Sequence, residues 1–215
     1  MSSLSDTIKD FFYPQDTVCP LCGEEALLSG GICGECRAAL RHAPKLPDIP
    51  DLDGLTCPYL YEQPVSGAVL RLKYGKATYL AQYLAGTIPL PDTFLFDCIV
   101  PVPLHPRRQR ERGYNQSELL AHAFSALHHD IPVRTDLLTR TRYTTPQQSL
   151  TAEQRKKNLR KAFAATPQAA GHAILLLDDV STTGSTLSAC AEALRAQGAT
   201  AVYGACVCIV PDVHQ

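Results

Sequence analysis

Residues 174–186 constrain the fold of this chain more than any other stretch, because they join an apolar run to an acidic pair and a hydroxyl-rich turn. The residues from position 178 are, in order, Asp178, Asp179, Val180, Ser181, Thr182, Thr183, Gly184, Ser185 and Thr186. The apolar run predicts a buried strand, and the small polar residues after it predict the start of a helix. Open α/β sheets bind ligands at the carboxyl ends of their strands, and a helix N-terminus there favours an anion. We therefore expect an α/β fold with its ligand site at this turn.

The residue types in this turn indicate a phosphorylated sugar. Hydroxyl donors suit a phosphate, and Gly184 lets the backbone approach it closely. The adjacent carboxylates Asp178 and Asp179 would repel a phosphate, but they suit sugar hydroxyls or a Mg²⁺ carried by the ligand. The chain lacks the G-x-x-x-x-G-K-[ST] and G-x-G-x-x-G fingerprints of P-loop and dinucleotide sites. The remaining alternative is an ordinary helix cap after a strand.

Strands and helices alternate along the rest of the chain, which predicts a parallel sheet with helices on both faces. The predicted strands are residues 56–61, 98–102, 174–177 and 200–210, with an ambiguous segment at 135–142. The predicted helices are residues 65–84, 115–127 and 185–197, together with an amphipathic lead-in over 1–18 and a helix that begins near Thr151. Asn115 with Glu118 resembles a capping box, and Gly198 is a typical helix stop. Residues 143–154 have the polarity of an exposed loop.

Four of the nine cysteines form two C-x-x-C pairs separated by ten residues, namely Cys19, Cys22, Cys33 and Cys36. Each short turn directs two thiolates at one point, and two such turns complete a tetrahedral zinc site without an open position. We expect a structural zinc ion there; two disulfides are the weaker alternative in a reducing compartment. The other five cysteines lie in apolar contexts and are expected in the core.

Prolines and acids after residue 44 suggest a linker, so the predicted units are a zinc module over 1–44 and a larger domain over 45–215. The net charge of −1 does not by itself predict nucleic-acid binding. The sequence contains no apolar stretch of the roughly 18–20 residues that a membrane span needs. Residues 1–9 lack the pattern of a secretory leader, and we expect a cytoplasmic protein.

Two long motifs carry a family resemblance. Residues 176–186, which read LLDDVSTTGST, resemble the 5-phosphoribosyl-1-pyrophosphate signature of type I phosphoribosyltransferases. Residues 100–116, which read VPVPLHPRRQRERGYNQ, resemble the ComF family, the competence-associated branch of that fold. The four-cysteine module resembles that family too, as does a spaced pattern of Arg140, Gln147, Leu150, Arg155 and Asn158. The resemblance leaves out only residues 37–56 and the C-terminal tail.

The resemblance implies a role for each part of the site. Asp178 and Asp179 would bind the ribose hydroxyls, and residues 180–186 would hold the 5-phosphate. A second loop would hold pyrophosphate through Leu104, His105, Arg107 and Arg108, while Arg110 and Arg112 extend a basic run that could equally be a solvated turn. Arg140 and Arg142 would act in catalysis by supplying charge to the leaving pyrophosphate, within a closing loop over 140–155. Residues 56–92 would form the acceptor-binding hood, in which Lys73, Tyr74 and Lys76 could also be a solvated helix face.

The implied reaction is transfer of a phosphoribosyl group to a nucleobase-like acceptor, with Mg²⁺ bound to the substrate and pyrophosphate released. His105 is a candidate general base by its ordinary pKa, but a phosphate contact or a structural role is an equal alternative. Two other functions stay open: a non-catalytic sensor of the sugar ligand, and a single-stranded DNA-binding or machinery-binding protein of competence. Basic clusters at 105–112 and 155–161 favour the DNA reading, although they could be ligand loops.

Overall fold

The computed structural model describes residues 17–142 and 162–211. The predicted lead-in helix, the loop over 143–154, the helix near Thr151, the basic cluster at 155–161 and the tail from residue 212 lie outside the described residues, apart from the lead-in's last two positions. Among the residues that are described, no helix is long and apolar enough to cross a membrane.

A five-stranded sheet forms the centre of the molecule. Its strands are β3 (Gly54–Thr56), β4 (Tyr59–Leu60), β5 (Cys98–Pro101), β8 (Ala173–Ser181) and β9 (Ala201–Ile209). The order is β3-β9-β8-β5, with β4 also paired to β9, and each of these pairings is parallel. In the register, Leu176 lies between Val100 and Gly204. The central strands are nearly continuous apolar runs because both faces of a parallel sheet are buried.

Side chains of alternate residues in β8 point to opposite faces of the sheet and pack into two different cores. Leu175 and Leu177 point into one core with the helices on that face, and Ile174 and Leu176 point into the other. The described helices are α1 (Gly34–Ala39), α2 (Val65–Tyr74), α3 (Leu80–Gly86), α4 (Pro106–Arg112), α5 (Gln116–Leu127) and α6 (Ser185–Ala196). The first core contains α2, α3 and α5, and the second contains α6. This arrangement confirms the predicted parallel sheet with helices on both faces.

The continuous helix predicted over residues 65–84 is wrong. The structure has two helices there, and α2 ends at Tyr74; the next residue, Gly75, caps it by donating its N–H to the carbonyl of Arg71 at 2.8 Å. Lys76 then adopts a left-handed φ of 53°, which a continuing helix does not allow. The apolar residues of both helices fit a single helical spacing, so the sequence pattern did not indicate the break between them.

Two small antiparallel strand pairs lie outside the central sheet. The strands β1 (Leu28–Ser29) and β2 (Ile32–Cys33) pair antiparallel inside the cysteine module, and β6 (Leu138–Arg140) pairs with β7 (Phe163–Ala165). The ambiguous segment at 135–142 therefore contains a short strand, as one reading of the sequence had it.

The proline-rich segment between the two predicted units is packed rather than extended away from the protein. Ile49 is buried in the core that contains α6. The guanidinium of Arg195 donates to the Asp51 carbonyl at 2.8 Å and to the Asp53 carboxylate at 2.5 Å. The boundary at residue 44 stays a prediction.

Candidate ligand cleft and cysteine cluster

The acidic pair lies inside β8, which runs past the predicted end at Leu177 to Ser181. Both carboxylates are buried, at 8% exposure for Asp178 and 3% for Asp179. The Oδ1 atom of Asp178 accepts from the Ser117 hydroxyl and from the Asp179 backbone N–H, both at 2.9 Å. Burial raises the pKa of Asp178 to about 7, and the charge of Asp179 adds to that shift. The site therefore holds one carboxyl group whose charge changes near neutral pH.

Lys73 of α2 balances the second carboxylate. Its Nζ lies 2.5 Å from Oδ2 of Asp179, and Gln116 donates to Oδ1 of the same residue at 3.3 Å. Burial favours the neutral amine, but the charges of Asp179 and Asp178 outweigh this effect and the pKa of Lys73 is raised. Lys73 is thus a charged residue of the site, and the solvated-face alternative is wrong for it.

The turn between β8 and α6 is tight and requires glycine at position 184. Gly184 caps α6 with a left-handed φ of 71°, and a Cβ at that position would lie 2.6 Å from two side-chain atoms of Ile49. Only glycine satisfies both conditions without strain. A small cavity of about 20 Å³ lies against this turn, large enough for one oxygen-sized group. Its lining consists of Asp178, Val180, Ser181, Thr182, Gly184, Thr186 and Leu187.

A larger cleft of about 350 Å³ joins this turn to the hood and to the loop after β5. The lining residues are Tyr61, Lys73, Tyr74, Val102, Pro103, Leu104, Arg108, Arg112, Gln116, Arg140, Asp178, Asp179, Val180, Thr182, Thr186 and Val210. Four of these side chains are cationic and two are acidic, which leaves a net charge near +2 when all are ionised. A walled cleft with this charge attracts a small polyanion.

The face that helix α4 turns to the cleft determines which of its arginines line it. The helix begins with Pro106 and ends at Arg112, and the next residue, Gly113, caps it with a left-handed φ of 87°. Residues four apart share a helix face, so Arg108 and Arg112 both line the cleft. Arg107 instead pairs with Glu111 at 2.9 Å on the exposed face. The prediction that Arg107 reaches the ligand is therefore not supported, whereas Arg112, which the sequence left open, lies in the site.

The other predicted ligand-site residues also fall into two groups, those that line a cavity and those that do not. His105 caps α4, because its Nδ1 accepts from the Arg107 backbone N–H at 3.2 Å. Arg140 lines the cleft with its guanidinium 5.3 Å from the Phe163 ring centroid, and burial and then the charge of Arg108 lower its pKa. Of the predicted site residues, those that line neither of the two described cavities are His105, Arg107, Arg142, Thr183 and Ser185. The hydroxyls of Thr183 and Ser185 are 2.6 Å apart and bond to each other.

Several residues of the cleft received no role from the sequence. Gln116 and Ser117 reach the acidic pair because Asn115 caps α5, accepting from the Ser117 N–H at 3.1 Å. The capping box was visible, and it placed these two side chains in the first turn of a helix beside the motif. Tyr61 and Val210 gave no such signal, because they reach the cleft only through pairing of β4 with β9.

The four predicted ligands of the cysteine module come together. The sulfur atoms of Cys19, Cys22, Cys33 and Cys36 all lie within 4.8 Å of one another. Backbone N–H groups point at this cluster, from Cys33 to the sulfur of Cys19 at 3.5 Å and from Cys36 to that of Cys33 at 3.4 Å. All four thiols are free, so the disulfide alternative is not what the structure shows. The donor set and its convergence fit a metal ion such as zinc.

The other five cysteines, at positions 57, 98, 190, 206 and 208, are all buried, which confirms their expected place in the core.

Comparison with known proteins agrees with this geometry. Residues 118–214 match the phosphoribosyl transferase domain family. The purine phosphoribosyltransferase from Pyrococcus horikoshii aligns with a TM-score of 0.34 and 19% identity over 66% of this chain and 72% of that one, which is too low to add weight. The parallel sheet, the strand-to-helix turn and the domain match together define a protein of the phosphoribosyltransferase fold.

The chain is 34% identical to the DNA utilization protein YhgH of Escherichia coli K12 over 200 residues, which cover 89% of this chain and 84% of that protein. It is 31% identical to competence protein F of Haemophilus influenzae, covering 92% of this chain and 84% of that protein. It is 27% identical to the competence protein ComFC of Bacillus subtilis, covering 86% and 74%. The chain belongs to this ComF family of competence and DNA utilization proteins.

Proposed function

We propose that the chain binds 5-phosphoribosyl-1-pyrophosphate with Mg²⁺ and transfers the phosphoribosyl group to a nucleobase-like acceptor in a process linked to DNA uptake. The observation that carries this proposal is the cleft that joins the hydroxyl-rich turn with its small cavity, two buried carboxylates and four cations. These three features match, in order, the 5-phosphate, the ribose hydroxyls and the pyrophosphate of that ligand.

Each part of the ligand then has its own residues. The turn at 180–186 holds the 5-phosphate through its backbone and hydroxyl donors, and Asp178 and Asp179 accept from the ribose hydroxyls. Leu104 marks the loop that approaches pyrophosphate, with Arg108 and Arg112 donating from one face of α4. Arg140 and Arg142 stabilise the charge on the leaving group. His105 is assigned to capping α4.

A Mg²⁺ ion fits this donor set, because it is usually held by one or two carboxylates together with substrate phosphates. Asp178 and Asp179 are the carboxylates in the cleft that would contact it. When bound, the ion would neutralise part of the pyrophosphate charge. Lys73 already pairs with Asp179, so one of the two carboxylates has a counter-ion from the protein itself.

The chemical step needs no protein nucleophile. A lone pair on an acceptor ring nitrogen forms a bond to C1 of the sugar, and the bond from C1 to pyrophosphate breaks with its electron pair staying on pyrophosphate. The acceptor nitrogen then gives its proton to solvent. Positive charge builds on the sugar next to the carboxylates, and negative charge builds on the leaving group next to the arginines, so preorganised side chains favour both changes.

Calorimetry tests the proposal directly. Wild-type protein should bind 5-phosphoribosyl-1-pyrophosphate only weakly without Mg²⁺ and clearly with it, and the Asp178→Asn/Asp179→Asn variant should lose this binding. Asp92→Asn is a matched control, because Asp92 is exposed and does not line the cleft. Absence of binding by folded wild type, or equal binding by the double variant, would reject the site. Positive binding would be followed by a screen of nucleobases for pyrophosphate release.

We also propose that the cysteine cluster holds one structural Zn²⁺, since four thiols converge and leave no open position for water. The free thiols suit a reducing, cytoplasmic setting. Elemental analysis should find one zinc per chain in wild type and none in Cys22→Ser. Cys57→Ser is the control, because Cys57 is buried outside the cluster and its loss should leave the zinc content at one.

A second candidate function is single-stranded DNA binding, or sensing of the sugar ligand without turnover, in the competence machinery. The names of the relatives favour a DNA-linked role. Fluorescence anisotropy with a labelled single strand should show affinity that falls with salt if this function is present. The Asp178→Asn/Asp179→Asn variant should then lose the sugar ligand and keep the DNA. No DNA binding at low salt would remove this candidate.

A further inference from the structure

Arg71 joins the cysteine module to the hood. It lies near the end of α2, and its guanidinium donates to three successive carbonyls of the first cysteine turn: Pro20 at 2.6 Å, Leu21 at 3.1 Å and Cys22 at 3.1 Å. Three carbonyls converge on one planar group only when the turn that carries them is closed. The guanidinium therefore recognises the folded shape of the turn rather than any one residue.

The same turn carries two of the four clustered thiols. Its closure is marked by the hydrogen bond from the Gly23 N–H to the Cys19 carbonyl at 2.7 Å and by the left-handed φ of 82° at Gly23. The Arg71 guanidinium lies 3.6 Å from the position a Cβ of Gly23 would take. A metal ion that gathers the thiols would hold these carbonyls in place for Arg71.

The three residues after Arg71 all contact the ligand cleft or its wall. The Leu72 carbonyl accepts from the Tyr114 hydroxyl in the corner between α4 and α5. Lys73 pairs with Asp179, and the Tyr74 ring centroid lies 5.0 Å from the guanidinium carbon of Arg112. One end of a short helical segment is thus held by the cysteine turn, and the residues next to it are held by the cleft.

We propose that Arg71 is a positioning residue that couples metal binding in the cysteine cluster to ligand binding in the cleft, by setting the position of Lys73. The coupling half of this inference rests on the function proposed above. Metal loading would close the first cysteine turn, Arg71 would fix the end of α2 against it, and Lys73 would then hold Asp179. Because coupling between two binding sites is reciprocal, the sugar ligand must strengthen metal binding by the same factor.

Core packing gives a reason to expect that changing Arg71 weakens the coupling between the two sites without unfolding α2. Val69 and Leu72 of α2 are fully buried in the same cluster as Leu21 of the cysteine turn. Their packing should keep α2 folded when Arg71 is replaced by a shorter side chain. The substitution should therefore change only the position of the last residues of α2.

The test compares Arg71→Gln and Arg71→Lys with Arg41→Gln, an exposed arginine near the cysteine module. In zinc-loaded proteins of equal metal content, Arg71→Gln should bind 5-phosphoribosyl-1-pyrophosphate with Mg²⁺ on the order of tenfold more weakly, within the roughly 5- to 150-fold range of known couplings. Arg71→Lys keeps the charge but cannot span three carbonyls, so it should recover little. Arg41→Gln should match wild type.

Competition with a chromogenic zinc chelator gives the reciprocal reading. Adding the sugar ligand and Mg²⁺ should tighten zinc binding on the order of tenfold in wild type and in Arg41→Gln, and should not change it in Arg71→Gln. A purely structural role would weaken both affinities and leave their coupling intact, so that result would overturn the inference.

Hydrogen exchange separates failure of this inference from failure of the proposed function. Removing zinc from wild type, or changing Arg71 in the loaded protein, should speed exchange of the α2 amides even without ligand. If wild type does not bind the sugar ligand but α2 responds in this way, the proposed function is wrong and the link from Arg71 to α2 stands. If wild type binds and neither α2 exchange nor coupling depends on Arg71, the inference is wrong.

Discussion

Replacing Lys73 with methionine should unbalance the charges of the cleft. The amine lies 2.5 Å from Oδ2 of Asp179, and its loss leaves two adjacent carboxylates buried at the end of β8. Methionine keeps the length and apolar character of the stem, so packing against the hood is largely preserved. The expected effect is therefore electrostatic.

The size of the effect follows from burial. Removing one partner of a fully buried ion pair costs about 3–5 kcal/mol in the free energy of unfolding, whereas exposed pairs contribute about 0–1 kcal/mol. The Asp179 side chain is 4% exposed, but that of Lys73 is 19% exposed, so water screens the amine in part. We expect Lys73→Met to lower the free energy of unfolding by roughly 2–3 kcal/mol at pH 8. The loss should shrink at pH 5, because Asp178, whose pKa burial raises to about 7, then carries a proton and less negative charge is left without a counter-ion.

Urea unfolding followed by circular dichroism measures this loss in zinc-loaded protein. Lys73→Met/Asp179→Asn should cost clearly less than the sum of the two single changes, because it removes the amine together with the carboxylate that the amine balances. Lys76→Met is the matched control, since Lys76 is exposed and outside the cleft, and it should change stability by less than about 0.5 kcal/mol. Additive single effects, or equal losses at pH 5 and pH 8, would refute the reasoning.

Three further predictions follow from the geometry of the cleft. Arg112→Gln should weaken pyrophosphate binding by about 10- to 100-fold, the value of one charge-assisted hydrogen bond, and Arg107→Gln by less than about twofold, as calorimetry would show; equal losses would contradict the assignment of helix faces. Burial and then a neighbouring charge raise the pKa of Asp178 to about 7, so the folded protein keeps a proton that the unfolded chain releases near pH 4. The free energy of unfolding should therefore decrease as the pH rises from about 4 to about 7. Asp178→Asn should remove this pH dependence of the free energy of unfolding, as measured by urea titrations. If the dependence persists in the variant, another group causes it. Gly184→Ala should cost about 2–4 kcal/mol in urea unfolding, from a left-handed alanine and from overlap with Ile49, and clearly less in an Ile49→Ala background; the same cost in both backgrounds would exclude the overlap.

Local patterns predicted well where the acidic pair, the hydroxyl turn and the four thiols lie in the fold. The strand, acidic pair and hydroxyl turn over 174–186 are contiguous, so their spacing alone placed Asp178 and Asp179 before a helix N-terminus. The four thiols converge for the same reason, since each pair sits on one short turn. The helix caps at Asn115 and Gly198 were also legible, because capping depends on neighbours within a few residues.

Features that depend on which face of an element meets which neighbour were missed. The choice of Arg112 over Arg107 required the exact start of α4, and the break at Gly75 was hidden because both helices carry apolar residues in phase. The proline-rich segment had the composition of a linker, yet Ile49 fills the space beside Gly184. Composition reports how soluble a segment is, and it does not report what the segment covers.

The sequence by itself determined the fold class, the strand-to-helix turn after the acidic pair and the four-thiol cluster, because short-range backbone geometry and residue chemistry indicate each of them. Only the tertiary structure decided that Lys73, far along the chain from β8, is the counter-ion of Asp179, and that Arg71 ties the cysteine turn to the same helix. Strand order and helix packing bring these groups together over separations of about 50 to 100 residues, and no local pattern encodes such a distance.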